Sequence, residues 1–575
     1  MLGKLKMDEW KITSSERYII LALLTLPLVL LSLGIYHGLM QTLYRSGMIS
    51  QTSFASIDYY QGLTLHGVIN AIVLTSFFAV AFGHACMSYY LKARMNLFLS
   101  WLSVGIMYMG TIFAAITMLT GKASVLYTFY PPLKAHPIFY VGVALLIVGT
   151  WIPFFSWIMM YLKWKKTHKD EYTPLPVLAT LTNFIMWFVC TIPAAYEVLG
   201  MLLPWSLGMV ETINIPLART LFWFFGHALV YFWLLPVYLM YYSMLPSLAG
   251  GKLYSENAGR LVFFLFLIFS IPVGVHHQFG EPSITRGMKL VQSILTYGVA
   301  VPSFITAFTI AASLEYAAWK RGHRGRWLGW MLKLPYFDKE RYLFAYLING
   351  LILFIFGGLT GLVNASYSLN SMVHNTAWLP GHFHMTIAGP VFLGIIGMCI
   401  FLLEKIEGKE LRLKRIATII PYLWSIGMLT FSTGLMWGGL RGEPRRTNLG
   451  ISYLDPDSPL FRPDWIFTTG ITVLGGVVLF VAGCMMFLVL IDLVLVKSTK
   501  AHVISFPPFE VLHKEKRMAI LDRLTPWVVV MGFILFMAYI PVFRDIQNLT
   551  GPGAKPYSPE NPIPMEIFKK PDSNE

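Results

Sequence analysis

Charge is what this sequence has least of. Only 13% of its 575 residues are charged, and acidic side chains are the scarcer kind, 29 Asp and Glu against 44 Lys and Arg. Soluble domains carry roughly 25%, so an ordinary water-soluble enzyme is excluded. Cysteine is scarcer still. Cys86, Cys190, Cys399 and Cys484 fall singly in separate apolar stretches, which leaves no paired-cysteine metal or redox motif and no covalent haem attachment sequence. They read as small apolar fillers. The opening stretch Met1 to Arg17 is polar and basic, without the short apolar run and small-residue cleavage site of a signal peptide. No repeat period, low-complexity tract or domain boundary interrupts the chain.

What remains is hydrophobic, 56% of residues, with 15% aromatic. Apolar runs long enough to cross a bilayer as helices, about 20 residues each, occur near 18–40, 63–90, 97–120, 138–162, 176–204, 218–247, 261–278, 290–316, 342–364, 380–403, 417–440, 465–495 and 524–543. The expected fold is therefore an all-α integral membrane protein of 13 transmembrane helices. Its parts are a cytoplasmic amino-terminal segment (1–17), one membrane domain (18–545) and a polar carboxyl-terminal tail (546–575). With the amino terminus inside, the inner segments hold 30 of the 44 Lys and Arg and the outer ones 14. That bias puts the amino terminus in the cytoplasm and the carboxyl terminus outside. The net charge of +15 is thus retention of inner loops, not nucleic-acid binding.

Against this topology six histidines gather in the outer half of the membrane. His66 opens the second span, His276 and His277 close the seventh, and His382 and His384 open the tenth, all at outer ends. His227 lies about two and a half turns into the sixth span, at a depth of roughly 15 Å. A single histidine in a span is commonly a hydrogen-bonded packing residue; six at one depth point to function. The adjacent pair His276–His277 can turn both rings into one site, and with His227 makes a three-nitrogen set suited to copper. In the stretch GHFHMT (381–386), positions i and i+2 leave a helix about 200° apart. His384 with His66 could serve as the two axial ligands of one haem, and His382, on the opposite side, as the single proximal ligand of a second. The other eight histidines read as loop or packing residues, except His374, which precedes the tenth span on the side where haem carboxylates would lie.

The strings GHALVYFWLLPVY (226–238), HHQF (276–279), VPSFITAFT (301–309) and VHNTAWLPGHFH (373–384) resemble the catalytic subunit of haem-copper oxygen reductases, and its B-type (ba3-like) branch in particular. The resemblance runs over most of the thirteen spans. It implies a low-spin haem, of b type, on His66 and His384; a high-spin haem, of a type, on His382; and one copper, CuB, on His227, His276 and His277. It also implies that Tyr231, four residues after His227, is covalently joined to that histidine and supplies an electron and a proton when the O–O bond breaks. Nitric-oxide reductases of the superfamily lack this tyrosine. Two departures stand out. Ala228 replaces the family's usual proline, from which a local change of helix geometry is expected, and Leu229 removes the A-type branch's glutamate.

Protons must reach such a buried site along a polar path. His227, Tyr231, Tyr238 and Tyr242 project onto one stripe of the sixth span, and Ser303 and Thr306 share a face of the eighth by i,i+3 spacing. The resemblance places Tyr242, Ser303 and Thr306 in a hydroxyl-lined proton channel leading to Tyr231; Tyr238, on the same stripe, is left out of that set. Arg445 and Arg446, in an outer side otherwise poor in cations, are expected to pair with haem propionates. His374 and Asn370 stand beside the same propionates, Asn370 where the closest relatives would be expected to have a carboxylate.

The function so implied is a terminal respiratory oxidase, a proton-pumping cytochrome c or quinol oxidase of a bacterial or archaeal cytoplasmic membrane. Its partners would be O2, the lipid bilayer, cytochrome c or quinol as donor, and a second subunit carrying a dinuclear copper that receives the electrons. A secondary transporter with histidines and hydroxyls along an ion path is the alternative from another class; it predicts neither haem nor copper and leaves the opposed histidines of GHFHMT without a purpose.

Overall fold

The computed structural model describes residues 7–50, 57–325 and 327–549. Residues 550–575 of the expected tail and the first six of the amino-terminal segment lie outside the described residues. Thirteen helical spans cross the molecule: α1 (Ser14–Arg45), α2 (Tyr59–Leu91), α3 (Leu97–Leu119), α4 (Pro137–Thr167), α5 (Leu175–Ser206), α6 (Ile215–Ser243), α7 (Glu256–Gln278), α8 (Arg286–Lys320), α9 (Lys339–Ala365), α10 (Trp378–Ile406), α11 (Lys414–Leu440), α12 (Pro463–Leu495) and α13 (Leu524–Asn548).

Most spans run a turn or so beyond their apolar stretches, because the end turns are polar and invisible to hydropathy. α1 starts at Ser14, not 18: the Thr13 hydroxyl accepts from Glu16 N, while the Thr13 amide donates to the Glu16 carboxylate at 2.8 Å, a capping box. Asp58, Asn96 and Asn214 cap α2, α3 and α6 by the same side-chain acceptance. α13 reaches Asn548, past the 545 boundary expected for the membrane domain. The apolar run 261–278 is not one helix. It is α-helical only to Ser270 and resumes as a 3-10 turn over Val275–Gln278, because Pro272 cannot donate to the ladder and Gly274 adopts φ 152°. A Cβ at Gly274 would strike the carbonyl oxygen of Trp223, so only glycine allows the chain to turn this close to α6.

α6 is the most enclosed span, with 89% of its most apolar window buried, and α13 the least, at 22%. The first therefore forms the axis of the bundle, and the second its lipid-facing rim. Ala228 is fully buried and α6 is helical without interruption from Ile215 to Ser243. The cysteine reading needs one amendment: Cys86, Cys190 and Cys399 are buried, but Cys484 is exposed on the outward face of α12.

On the side carrying the amino terminus, polar ties lock helix ends together. Asp522 accepts from Lys165 at 2.8 Å, Arg517 at 2.9 Å, the Thr173 amide at 2.9 Å and fully buried Arg260 at 3.4 Å. Arg17 meets Glu407 at 2.7 Å. A two-residue strand, β1 (Trp10–Lys11), pairs antiparallel with β2 (Val503–Ile504).

Candidate metal centres

α6 and the turn closing α7 bring His227, His276 and His277 together, with potential ligand nitrogens all within 4.8 Å of one another. His227 Nδ1 lies 3.3 Å from His277 Nε2, about the separation of two nitrogens held on one metal at roughly 2 Å each. The Thr296 hydroxyl donates to the Gln292 carbonyl at 2.6 Å and so accepts from His276 Nδ1, 3.2 Å away. That bond fixes the tautomer and leaves His276 Nε2 free for a metal. Trp223 stacks on the His277 ring, centroids 3.9 Å apart and planes within 12°. His227 Nε2 is buried without a partner, and the Tyr231 ring stands 5.0 Å from the same imidazole.

The two other histidine sites face the same cavity, about 600 Å³ in volume. His66 Nδ1 donates to the Gly34 carbonyl at 2.8 Å, and His384 Nδ1 to the Pro380 carbonyl at 2.7 Å. Both rings are thereby held with Nε2 as the free donor to a metal. Their planes lie within 13° and their centroids 6.0 Å apart. Two metal–nitrogen bonds of about 2 Å and the half-widths of two imidazoles span about that distance, so the pair fits an iron between them. α1 comes close enough to α2 here that a Cβ at Gly38 would lie 2.8 Å from the His66 ring. His382 leaves α10 elsewhere: its Nδ1 donates to the Thr360 hydroxyl at 2.9 Å, which itself donates to the Gly357 carbonyl at 2.7 Å. Just after His66 in α2, and from His384 onward in α10, the helices loosen into π turns, Val68–Val73 and His384–Val391, a device common at functional sites.

At the outer rim Arg445 donates to Asn375 Oδ1 at 2.7 Å and Arg446 to the Tyr130 hydroxyl at 3.1 Å. Neither has a carboxylate partner among the described residues, and Arg446 Nη2 is buried without any. Two guanidinium groups so placed require an anion, as haem carboxylates would supply. Burial and the neighbouring Arg446 lower the Arg445 pKa to about 10. Burial raises the Tyr130 phenol, but Arg446, Arg445 and Arg219 outweigh it and bring it to about 8. Asn370 donates to the Asn364 carbonyl at 2.7 Å and to the His276 carbonyl at 3.3 Å, and its Oδ1 accepts from His374 Nδ1 at 3.0 Å. Burial, then the charges of Arg445, Arg219 and Lys289, push the His374 imidazole down to about 4.

Below the site, the Tyr242 hydroxyl donates to Thr306 Oγ1 at 3.0 Å, and that of Tyr238 to Ser303 Oγ at 3.2 Å. Tyr238, left out of the expected channel, thus pairs across α6 and α8 as Tyr242 does. Thr360 and Thr296 were also missed. Each orients a histidine 20 or more residues away in sequence, and no periodicity marks such a residue in advance.

A membrane-spanning bundle whose buried imidazoles converge on one cavity, with orphaned cations at its rim, defines a multi-pass membrane metalloprotein. Residues 18–478 match the family described as cytochrome c and quinol oxidase polypeptide I. The chain is 41% identical to cytochrome c oxidase subunit 1 of Thermus thermophilus over 496 residues, 85% of this chain and 86% of that one. It is 24% identical to quinol oxidase subunit 1 of Bacillus subtilis over 490 residues, 81% of this chain and 71% of that one. The structure superposes on that of a heme-copper terminal oxidase dimer with a TM-score of 0.93 and 45% identity, covering 96% of this chain and 97% of that one. The chain belongs to the haem-copper oxidase family as its catalytic subunit I. Family membership carries with it the haems and copper CuB and, as a general property of the family, proton pumping.

Proposed function

We propose that this chain reduces O2 to water at a site between His382 and the His227–His276–His277 group, fed through a redox group held by His66 and His384. The observation that carries the reading is the pair of distances that suit two different metal groups in one cavity: 3.3 Å between His227 and His277 nitrogens, and 6.0 Å between the His66 and His384 rings. When bound, the two haems and the copper supply electron storage and oxygen chemistry. The protein's own work is placement and proton supply.

Gly34, Pro380, Thr360 and Thr296 each accept the Nδ1 proton of one histidine and so present its Nε2 inward. Tyr231 sits beside His227 with its hydroxyl able to give up a proton, and Tyr238 with Ser303, then Tyr242 with Thr306, form the hydroxyl route that would restore it from the cytoplasmic side. Arg445 and Arg446 hold the haem carboxylates, and His374 shares that region through Asn370. We assign the low-spin haem as b type and the high-spin haem as a type, the donor as cytochrome c or quinol acting with a second, copper-carrying subunit, and the location as a prokaryotic cytoplasmic membrane with the amino terminus inside. Nitric-oxide reduction is disfavoured by Tyr231 beside His227 and by a metal-binding group that, among the described residues, contains histidines alone.

The test is metal content with the reduced-plus-CO minus reduced spectrum of the enzyme purified with its partners. Two haems per chain, one binding CO, and one copper beyond any on a partner subunit are expected. Non-haem iron in place of that copper would move the activity to nitric oxide, and absence of haem would overturn the ligand assignment.

A further inference from the structure

The three most exposed large apolar side chains among the described residues are Trp327, Leu332 and Phe337, at 89%, 85% and 76%. None belongs to the apolar body of a span. All three lie in the connection between α8, which ends at Lys320, and α9, whose long helix begins at Tyr342. Hydrocarbon around the bundle therefore does not account for them, and exposed apolar side chains of this size gathered in one short connection mark an interaction site.

Their outward presentation is built in. The segment turns at Gly322 (φ 89°) and forms a 3-10 helix over Trp327–Lys333, pinned from beneath by buried Trp330 and Leu334. Interleaved with the apolar residues are exposed cations. Among the described residues Arg324 donates only to the carbonyls of Trp319 and His323. Lys333 and Lys339 form no ion pair among the described residues, and the acids nearby are taken: Asp338 by Arg341 and Glu340 by Lys414.

Charge decides what fits this surface. Protein interfaces deplete lysine at their centres, whereas uncompensated cations beside exposed tryptophan, at the ends of two membrane helices, match the phosphate layer of an anionic leaflet. The segment also lies on the side holding 30 of the 44 Lys and Arg, the cytoplasmic side by that bias. We propose that Arg324, Trp327, Leu332, Lys333, Phe337 and Lys339 form an anionic-phospholipid site. Trp327, Leu332 and Phe337 enter the boundary between headgroups and acyl chains, and Arg324, Lys333 and Lys339 bind lipid phosphate. The inference depends on the membrane topology and not on the metal assignments.

The test uses the purified enzyme in nanodiscs containing phosphatidylglycerol or phosphatidylcholine with the same photoactivatable acyl chain, and mass spectrometry of peptides spanning 321–341. Phosphatidylglycerol should label this segment preferentially. The double variant R324Q/K333Q should reduce that labelling at least about fivefold, since each cation near the surface contributes about 1 kcal/mol, and raised salt should do the same. K497Q, an exposed cation on the same side, should change nothing, and W327S should lower labelling by both lipids. An unaltered haem spectrum in each variant separates these effects from misfolding. Equal labelling by the two lipids, or an unchanged signal in R324Q/K333Q, would overturn the proposal. So would a cross-link from 327–337 to another subunit in place of lipid, which would reassign the patch to a protein partner.

Discussion

Replacing Tyr242 with Phe separates a structural hydroxyl from a proton-conducting one. The ring stays, so packing against Phe263, 6.0 Å away between centroids, is kept and no cavity opens. What disappears is the donor to Thr306 Oγ1 at 3.0 Å. Thr306 still donates to the Pro302 carbonyl at 2.8 Å, so no buried donor is orphaned, and the stability loss is that of one net hydrogen bond, about 1 kcal/mol. If the hydroxyl carries protons, turnover should fall far more than stability does, at least tenfold, which corresponds to about 1.4 kcal/mol or more in the barrier. The assay is oxygen consumption with excess reductant, alongside thermal unfolding and the haem spectrum. Thr306→Val, nearly isosteric, should behave alike, and the double variant should be no slower than the slower single, because two breaks in one chain cost little more than one. Wild-type turnover in Tyr242→Phe, or multiplicative slowing in the double variant, would refute the reasoning.

His227→Asn should lower copper content by one per enzyme while both haem bands persist; retention of that copper would remove His227 from the ligand set. His384→Ala, which leaves His66 Nε2 facing an empty position, should convert the low-spin optical signature to a high-spin one without loss of copper. Arg446→Gln should weaken haem retention on mild denaturation, by roughly the 1–3 kcal/mol of a charge-assisted bond, and an unchanged haem-release midpoint would count against the propionate role. Asp522→Asn should destabilise the fold by about 1–3 kcal/mol, since it removes the charge shared by Lys165, Arg517 and the Thr173 amide, while buried Arg260 keeps Glu256 at 2.6 Å. Burial raises the Asp522 carboxyl, but hydrogen bonds from Lys165, Thr173 and Arg517 outweigh it and hold it below its ordinary value. Its contribution is therefore present above the unfolded carboxyl range near pH 4 and is lost as pH falls through the lower folded value. Thermal unfolding as a function of pH should show a smaller acid-dependent loss in Asp522→Asn than in the wild type.

Much of this was legible in the sequence for a physical reason. Hydrocarbon forbids unsatisfied backbone, so apolar length alone predicts helical spans, and all thirteen are present. The same medium makes intramembrane histidines costly, so His66, His227, His276, His277, His382 and His384 stood out against a background that could not hide them. The phase of 382 and 384 on one helix separated two sites before any coordinate did.

Tertiary structure decided what depends on approach between distant segments. The break after Ser270 owes its proline to the local sequence, but the need for glycine at 274 follows from the Trp223 carbonyl beside it, a contact across more than fifty residues that no window of sequence reports. Thr360 and Thr296 fix histidine tautomers through bonds 22 and 20 residues apart, and Tyr238 meets Ser303 only across two helices. Composition and periodicity determined which side chains must be buried and at what depth; only packing determined which nitrogen of each imidazole faces the cavity, because that is set by the acceptor waiting behind it on another helix.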